Sequence, residues 1–146
     1  MKNVCTLLFF VCCLGILTAG CGKNRFPGIV PGEGTVTFNG SPLADARLLF
    51  YPETPREDNV ITVARTDQNG RFVMKTNGES DGAYPGNYKV VVVQSVVTGV
   101  RKDPETGDDI KEFGLATPRK YSSESTTDLT LTVPERGSRD LVLTLQ

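Results

Sequence analysis

The chain has 146 residues, 38% apolar and 23% charged, with 16 Lys+Arg against 17 Asp+Glu and neither histidine nor tryptophan. That length fits one ordinary domain that can hold its own core. A formal charge of −1 is too mild to imply a partner by electrostatics and nothing resembles a basic nucleic-acid patch, while the missing histidine excludes a Ser-His-Asp triad, a Cys-His pair and a histidine-ligated metal site. The basic pairs Arg101-Lys102 and Arg119-Lys120 are isolated and lie beside acids. The lack of tryptophan argues against a carbohydrate platform built on large aromatic faces.

The first element is a leader. Met1-Lys2-Asn3 is a short positive start, Val4 to Leu17 is an apolar run too short for a comfortable membrane span, and Thr18-Ala19-Gly20 supplies small residues before Cys21. The arrangement resembles the lipobox of bacterial lipoproteins, departing from it where Thr18 occupies the position usually held by leucine. The resemblance implies cleavage before Cys21 and lipid on its sulfur. Ordinary cleavage without lipid and an uncleaved membrane helix are the alternatives. Of the four cysteines, Cys5, Cys12 and Cys13 would leave with the leader. No disulfide pair would then remain, and the domain would rest on its hydrophobic core. Acyl burial contributes about 0.8 kcal/mol per CH₂, so the two or three chains of bacterial lipoproteins would anchor firmly. Residues 21–33 read as the lipidated cysteine and a tether, since the glycines and prolines of Gly22 to Gly32 oppose both helix and central strand.

Beyond the tether the apolar pattern has period two. Thr35 to Phe38 is expected as a strand with Val36 and Phe38 inward, followed by a tight Asn39-Gly40 turn. Ala46 to Tyr51 is expected next, with Ala46, Leu48 and Phe50 on one face. A polar loop at 52–59 leads to a strand over Val60 to Thr66, an Asp67-Gln68-Asn69-Gly70 turn, and a strand over Arg71 to Thr76 with Phe72 and Met74 inward. After a second polar loop at 77–86, Asn87 to Val97 is the strongest strand. Its consecutive valines from 90 to 93 mark a central position covered on both faces. Residues 98–117 are the least patterned, with an exposed acidic loop at 103–109 that could be a hairpin tip. Residues 118–127 form a loop anchored by Tyr121. Leu129 to Val133 and Leu141 to Leu145 alternate as two closing strands. Seven short strands at regular spacing predict an all-β antiparallel sandwich.

Three segments carry a family resemblance. Gly34-Thr35-Val36-Thr37-Phe38-Asn39-Gly40-Ser41-Pro42-Leu43-Ala44-Asp45-Ala46, Thr66-Asp67-Gln68-Asn69-Gly70-Arg71-Phe72 and Pro85-Gly86-Asn87-Tyr88 occur in order. Together they resemble carboxypeptidase regulatory-like domains over about residues 34–95. With a lipobox ahead and Pro118-Arg119-Lys120-Tyr121 before the last strands, the whole resembles small lipoproteins of planctomycete bacteria. The resemblance implies a transthyretin-like (prealbumin-type) seven-stranded sandwich at 34–146, behind a signal peptide at 1–20. It implies no catalysis, because in carboxypeptidases this module accompanies a separate zinc domain, and it offers no catalytic residues to carry over.

The residues of these motifs have structural explanations. Asp67 can accept backbone N–H groups across its turn, Gly70 can take a left-handed conformation, and Phe72 enters the core. Pro85 and Gly86 turn the chain, and Tyr88 can bury its ring while its hydroxyl finds a partner. Sharper readings are weaker. A calcium loop starting at Asp67 would need a glutamate where Gly78 stands. Asp103, Glu105, Asp108 and Asp109 read as a solvated loop before they read as a cation site. Glu53, Glu57 and Asp58 lack the spacing information that would make a catalytic pair, and Gly32-Glu33-Gly34 has no lysine or helix behind it to be a phosphate loop. Tyr51, Tyr84 and Tyr121 could form a ligand rim or anchor loops. No cofactor or metal is expected. The expectation is a non-catalytic, lipid-anchored module of a bacterial cell envelope, periplasmic or on the outer membrane, contacting a protein. An envelope polysaccharide or peptide is the alternative ligand. Loops 52–59, 77–86 and 98–117 are the expected contact regions.

Overall fold

Extended backbone dominates the computed structural model, which describes residues 26–57 and 60–146. Among the described residues there are twelve strand segments and one short 3-10 turn at Arg119–Ser122. They are β1 (Gly32–Phe38), β2 (Ser41–Pro42), β3 (Arg47–Pro52), β4 (Thr62–Arg65), β5 (Arg71–Val73), β6 (Lys75–Thr76), β7 (Ser80–Asp81), β8 (Gly86–Val93), β9 (Ser95–Lys102), β10 (Asp109–Leu115), β11 (Thr130–Val133) and β12 (Ser138–Leu145). The expected leader at 1–20 and Cys21 lie outside the described residues.

Two sheets face each other across one core. In the larger, the order is β11-β8-β3-β4-β6-β7. In the smaller, β12 flanks β1 on one side, and β2 and β5 pair with it at separate stretches, 37–38 and 33–35. The strand rule of period two sets the core. Val36 from β1, Leu48 and Phe50 from β3, Val90 and Val92 from β8, and Leu143 and Leu145 from β12 are all buried in one cluster. Phe50 sits at its centre, 5.9 Å from the Phe72 ring and edge-on to Tyr88 at 6.3 Å. The fold is thus all-β and sandwich-like.

Residues 71–76 belong to both sheets. β5 pairs with β1 and β6 pairs with β4, and fully buried Met74 between them marks the corner. The expected single strand over 71–76 is therefore split. The expectation of a wholly antiparallel arrangement also needs correction, because β1 and β12 pair in parallel. Parallel neighbours require a long crossover, and here the body of the domain between the two strands supplies it.

Residues 30–33, expected to belong to a tether, are part of the packed fold. Val30 exchanges two backbone hydrogen bonds with Ala83 at 2.8 and 3.0 Å, Met74 donates to the Gly32 carbonyl at 2.7 Å, and β1 already begins at Gly32. The packed fold therefore starts near Val30, at the pole that also holds the turns at 82–86 and 134–137. β8 starts at that pole and runs to the opposite one, where β3 begins and where the chain continues into β9.

Candidate functional site

The turn residues singled out in the sequence have structural roles. The Asp67 carboxylate accepts the Asn69 N–H at 2.8 Å and the Arg71 N–H at 2.9 Å. Gly70 has φ 71°, and a Cβ there would stand 2.5 Å from the Val36 carbonyl oxygen. That turn carries Phe72 into the core, where it is buried. Pro85 and Gly86 lead into β8, with Gly86 at φ 143°. Tyr88 is buried, and its hydroxyl donates to the Tyr84 carbonyl at 2.7 Å. Burial pushes the Tyr88 phenol above its ordinary value, against a smaller opposing pull from Arg56.

The tyrosines do not assemble a rim. Tyr88 and Tyr121 are buried, and the Tyr121 hydroxyl donates to the Gln146 carbonyl at 2.9 Å. Tyr84 has its ring face covered by the Arg56 guanidinium, 3.6 Å from the centroid. Tyr51 is left half-exposed on β3. Among the described residues, no group of three or more histidine, cysteine or acidic side chains is placed to hold a metal ion. The Asp103 carboxylate is engaged within its own turn, accepting the N–H groups of Glu105 at 2.8 Å and Thr106 at 3.1 Å. Those bonds hold its carboxyl below the usual carboxylate range.

The distinctive surface comes from the least patterned segment. β9 and β10 form a two-stranded antiparallel ribbon that belongs to neither face of the sandwich. At its base, Ala116 donates to the Gln94 carbonyl at 2.9 Å, and the Gln94 side chain donates to the Ala44 carbonyl at 2.6 Å. At its tip, Asp103 and Gly107 close the turn through backbone bonds of 2.8 and 2.9 Å. The register shifts beside Thr98, and that shift decides which side chains share a face. Val97 stands opposite Phe113 and Val100 opposite Lys111, so Val97, Val100, Phe113 and Leu115 line one face. Their exposures are 51, 59, 67 and 40%. The other face carries the Arg101–Glu112 ion pair at 3.6 Å. The acidic loop at 103–109 is the hairpin tip that the sequence offered, while the strands on either side of it, in the least patterned segment, were not located from the residues.

Beside the base of the arm lies an open groove of about 930 Å³, lined by residues that include Asp45, Arg47, Arg65, Asp67, Val93 and Ser95. Arg47 and Arg65 are directly opposed across β3 and β4. Like charges in that position destabilise a ladder unless an anion lies between them. Asp45 reaches Arg65 at 3.4 Å, while Arg47 has no ion pair among the described residues.

No helix among the described residues is long and apolar enough to cross a membrane. Comparison with protein-family models, with curated proteins and with solved structures finds no match.

Proposed function

We propose that this chain is a non-catalytic, lipid-anchored sandwich of the transthyretin-like, carboxypeptidase regulatory-like type, presenting an interaction arm at a bacterial cell envelope. The observation that carries the reading is the β9–β10 ribbon, whose apolar face is exposed and whose base is fixed to a packed core. Functional contacts commonly sit on segments held by a rigid scaffold, and an exposed apolar face rimmed by charge marks an interaction surface. Support for the family reading comes from the three sequence segments, which form the first hairpin, the Asp67 turn and the lead into the central strand. The anchor rests on the Thr18-Ala19-Gly20-Cys21 pattern.

Two experiments test this. The full chain and a Cys21→Ser variant are expressed with labelled palmitate, and label is expected only in the unsubstituted chain; equal label in both would remove the anchor. Envelope partners are then captured with the anchored protein and with a variant whose residues 96–114 are replaced by a short turn. The reading expects capture to be lost with the arm. Retained capture would move the function to another surface.

A further inference from the structure

The ribbon has two edges, and they differ. β10 carries Asp109, Lys111 and Glu112, charges of the kind that discourage strand addition. β9 runs from Ser95 to Val100 without a charge or a proline. Pairing between β3 and β8 ends at Arg47 and Val93, so among the described residues nothing pairs with the β9 edge beyond that point. The result is an open slot alongside β9, closed at its inner end by the opposed arginines of β3 and β4.

We propose that the occupant of this slot is the β9 strand of a second copy of this chain, paired antiparallel about a twofold axis. The proposal rests on the arm being the interaction surface and names its partner. Three features fit a self-complementary contact. Strand and slot have the same length, because each is β9. Antiparallel overlap of the two strands carries the tip of each arm past Ser95 of the other, to the Arg47–Arg65 end of its groove. That tip holds Asp103, Glu105 and Asp108, while its own lysine, Lys102, is already paired with Asp109 at 2.6 Å. An acidic tip therefore meets a groove end where two opposed arginines share one paired carboxylate, Asp45, while Asp67 is engaged in its own turn, twice in one dimer. A twofold contact of this kind is isologous, as most soluble homodimers are. The residues engaged on each side are those of β9 and the tip, with β10 on the outer edge, which makes this a contact at the small end of specific interfaces.

The same pairing extends the apolar face across both copies, bringing Val97 and Val100 of one ribbon beside those of the other. Val96 and Ser95 would stand opposite the partner's basic end of β9, so no like-charge pair is created along the strands. Exposed strand edges are a known template for such pairing.

The test is sedimentation of the full chain in density-matched detergent. A dimer is expected, with a dissociation constant that rises about tenfold as ionic strength goes from low to several tenths molar, because the tip contacts are screened. Glu105→Lys with Asp108→Lys reverses the tip and leaves the turn-forming Asp103 in place; Arg47→Glu with Arg65→Glu reverses the groove. Each variant alone is expected to sediment as a monomer. Their equimolar mixture is expected to recover a heterodimer, since each tip then meets an opposite groove. Circular dichroism like that of the parent checks that both variants fold. A monomeric parent at about 100 μM, a dimer unaffected by either reversal, or a mixture that stays monomeric would overturn the proposal. A monomeric parent whose arm still captures another envelope protein would overturn self-pairing while leaving the arm as the interaction surface.

Discussion

At the scale of single residues, small groups hold the architecture by satisfying backbone. Thr66 is buried, and its hydroxyl accepts the Ala46 N–H at 2.8 Å; Thr127, also buried, donates to the Val90 carbonyl at 2.7 Å. Tyr88 combines a buried ring with one satisfied hydroxyl. Tyr88→Phe keeps the ring and leaves the Tyr84 carbonyl without this donor, at an expected cost of about 1 kcal/mol in denaturant unfolding. The pH dependence follows from the direction of its shift. A phenol whose folded value lies above the ordinary 10.0 favours the folded state below that value, and the contribution is lost as pH rises through the folded one. Stability of the parent is expected to fall on the alkaline side of pH 10 more steeply than that of Tyr88→Phe. Superimposable alkaline limbs would show that the Tyr88 phenol titrates alike in both states. Gly70→Ala combines a left-handed φ with a collision against backbone, and should cost more than the 1 kcal/mol or so typical of a strained turn substitution.

At the scale of elements, burial separates scaffold from arm. Leu48 on β3 is fully buried between both sheets, so Leu48→Ala is expected to cost about 2–5 kcal/mol. Phe113 on β10 is 67% exposed, so Phe113→Ala should change the unfolding free energy of the monomer by no more than about 0.5 kcal/mol. Equal costs at the two positions would mean that Phe113 packs against something in the free protein. An isolated two-stranded ribbon is marginal in water. The arm persists because β9 continues β8 and because Gln94, Ala44 and Ala116 tie its base to the sandwich. Exposed ion pairs such as Lys102–Asp109 add little to that. In the monomer, hydrogen exchange should accordingly find amides of residues 96–114 exchanging far faster than those of β3 and β8.

At the scale of the whole molecule, the two poles have different roles. Val30 ties the start of the packed chain to Ala83 at one pole, and nine residues back to Cys21 reach at most about 30 Å. β8 and β9 run in succession from Gly86 to Lys102, a path of up to roughly 50 Å. A chain tethered through Cys21 would therefore hold its tip away from the bilayer. Protease accessibility on intact vesicles measures this: cleavage within 103–108 should release a nicked but still folded sandwich, and protection of the tip by the bilayer would place the arm against the membrane instead.

Much of this was readable in the residues. Alternating apolar positions located the strands at 35–38, 46–51, 129–133 and 141–145, the valine run marked β8 as central, and Asn39-Gly40 and Asp67-to-Gly70 marked turns that the backbone forms with positive φ. These features are local: period two, turn chemistry and the absence of a helical repeat all act over a few residues. Three things were decided by tertiary structure alone. The parallel pairing of β1 with β12 joins opposite ends of the domain, and no local pattern encodes it. The change of sheet at Met74 depends on which edge each half of the strand finds. The exposure of Val97, Val100 and Phe113 depends on the absence of a second layer, which alternation cannot report because a strand has the same pleat whether or not anything covers it.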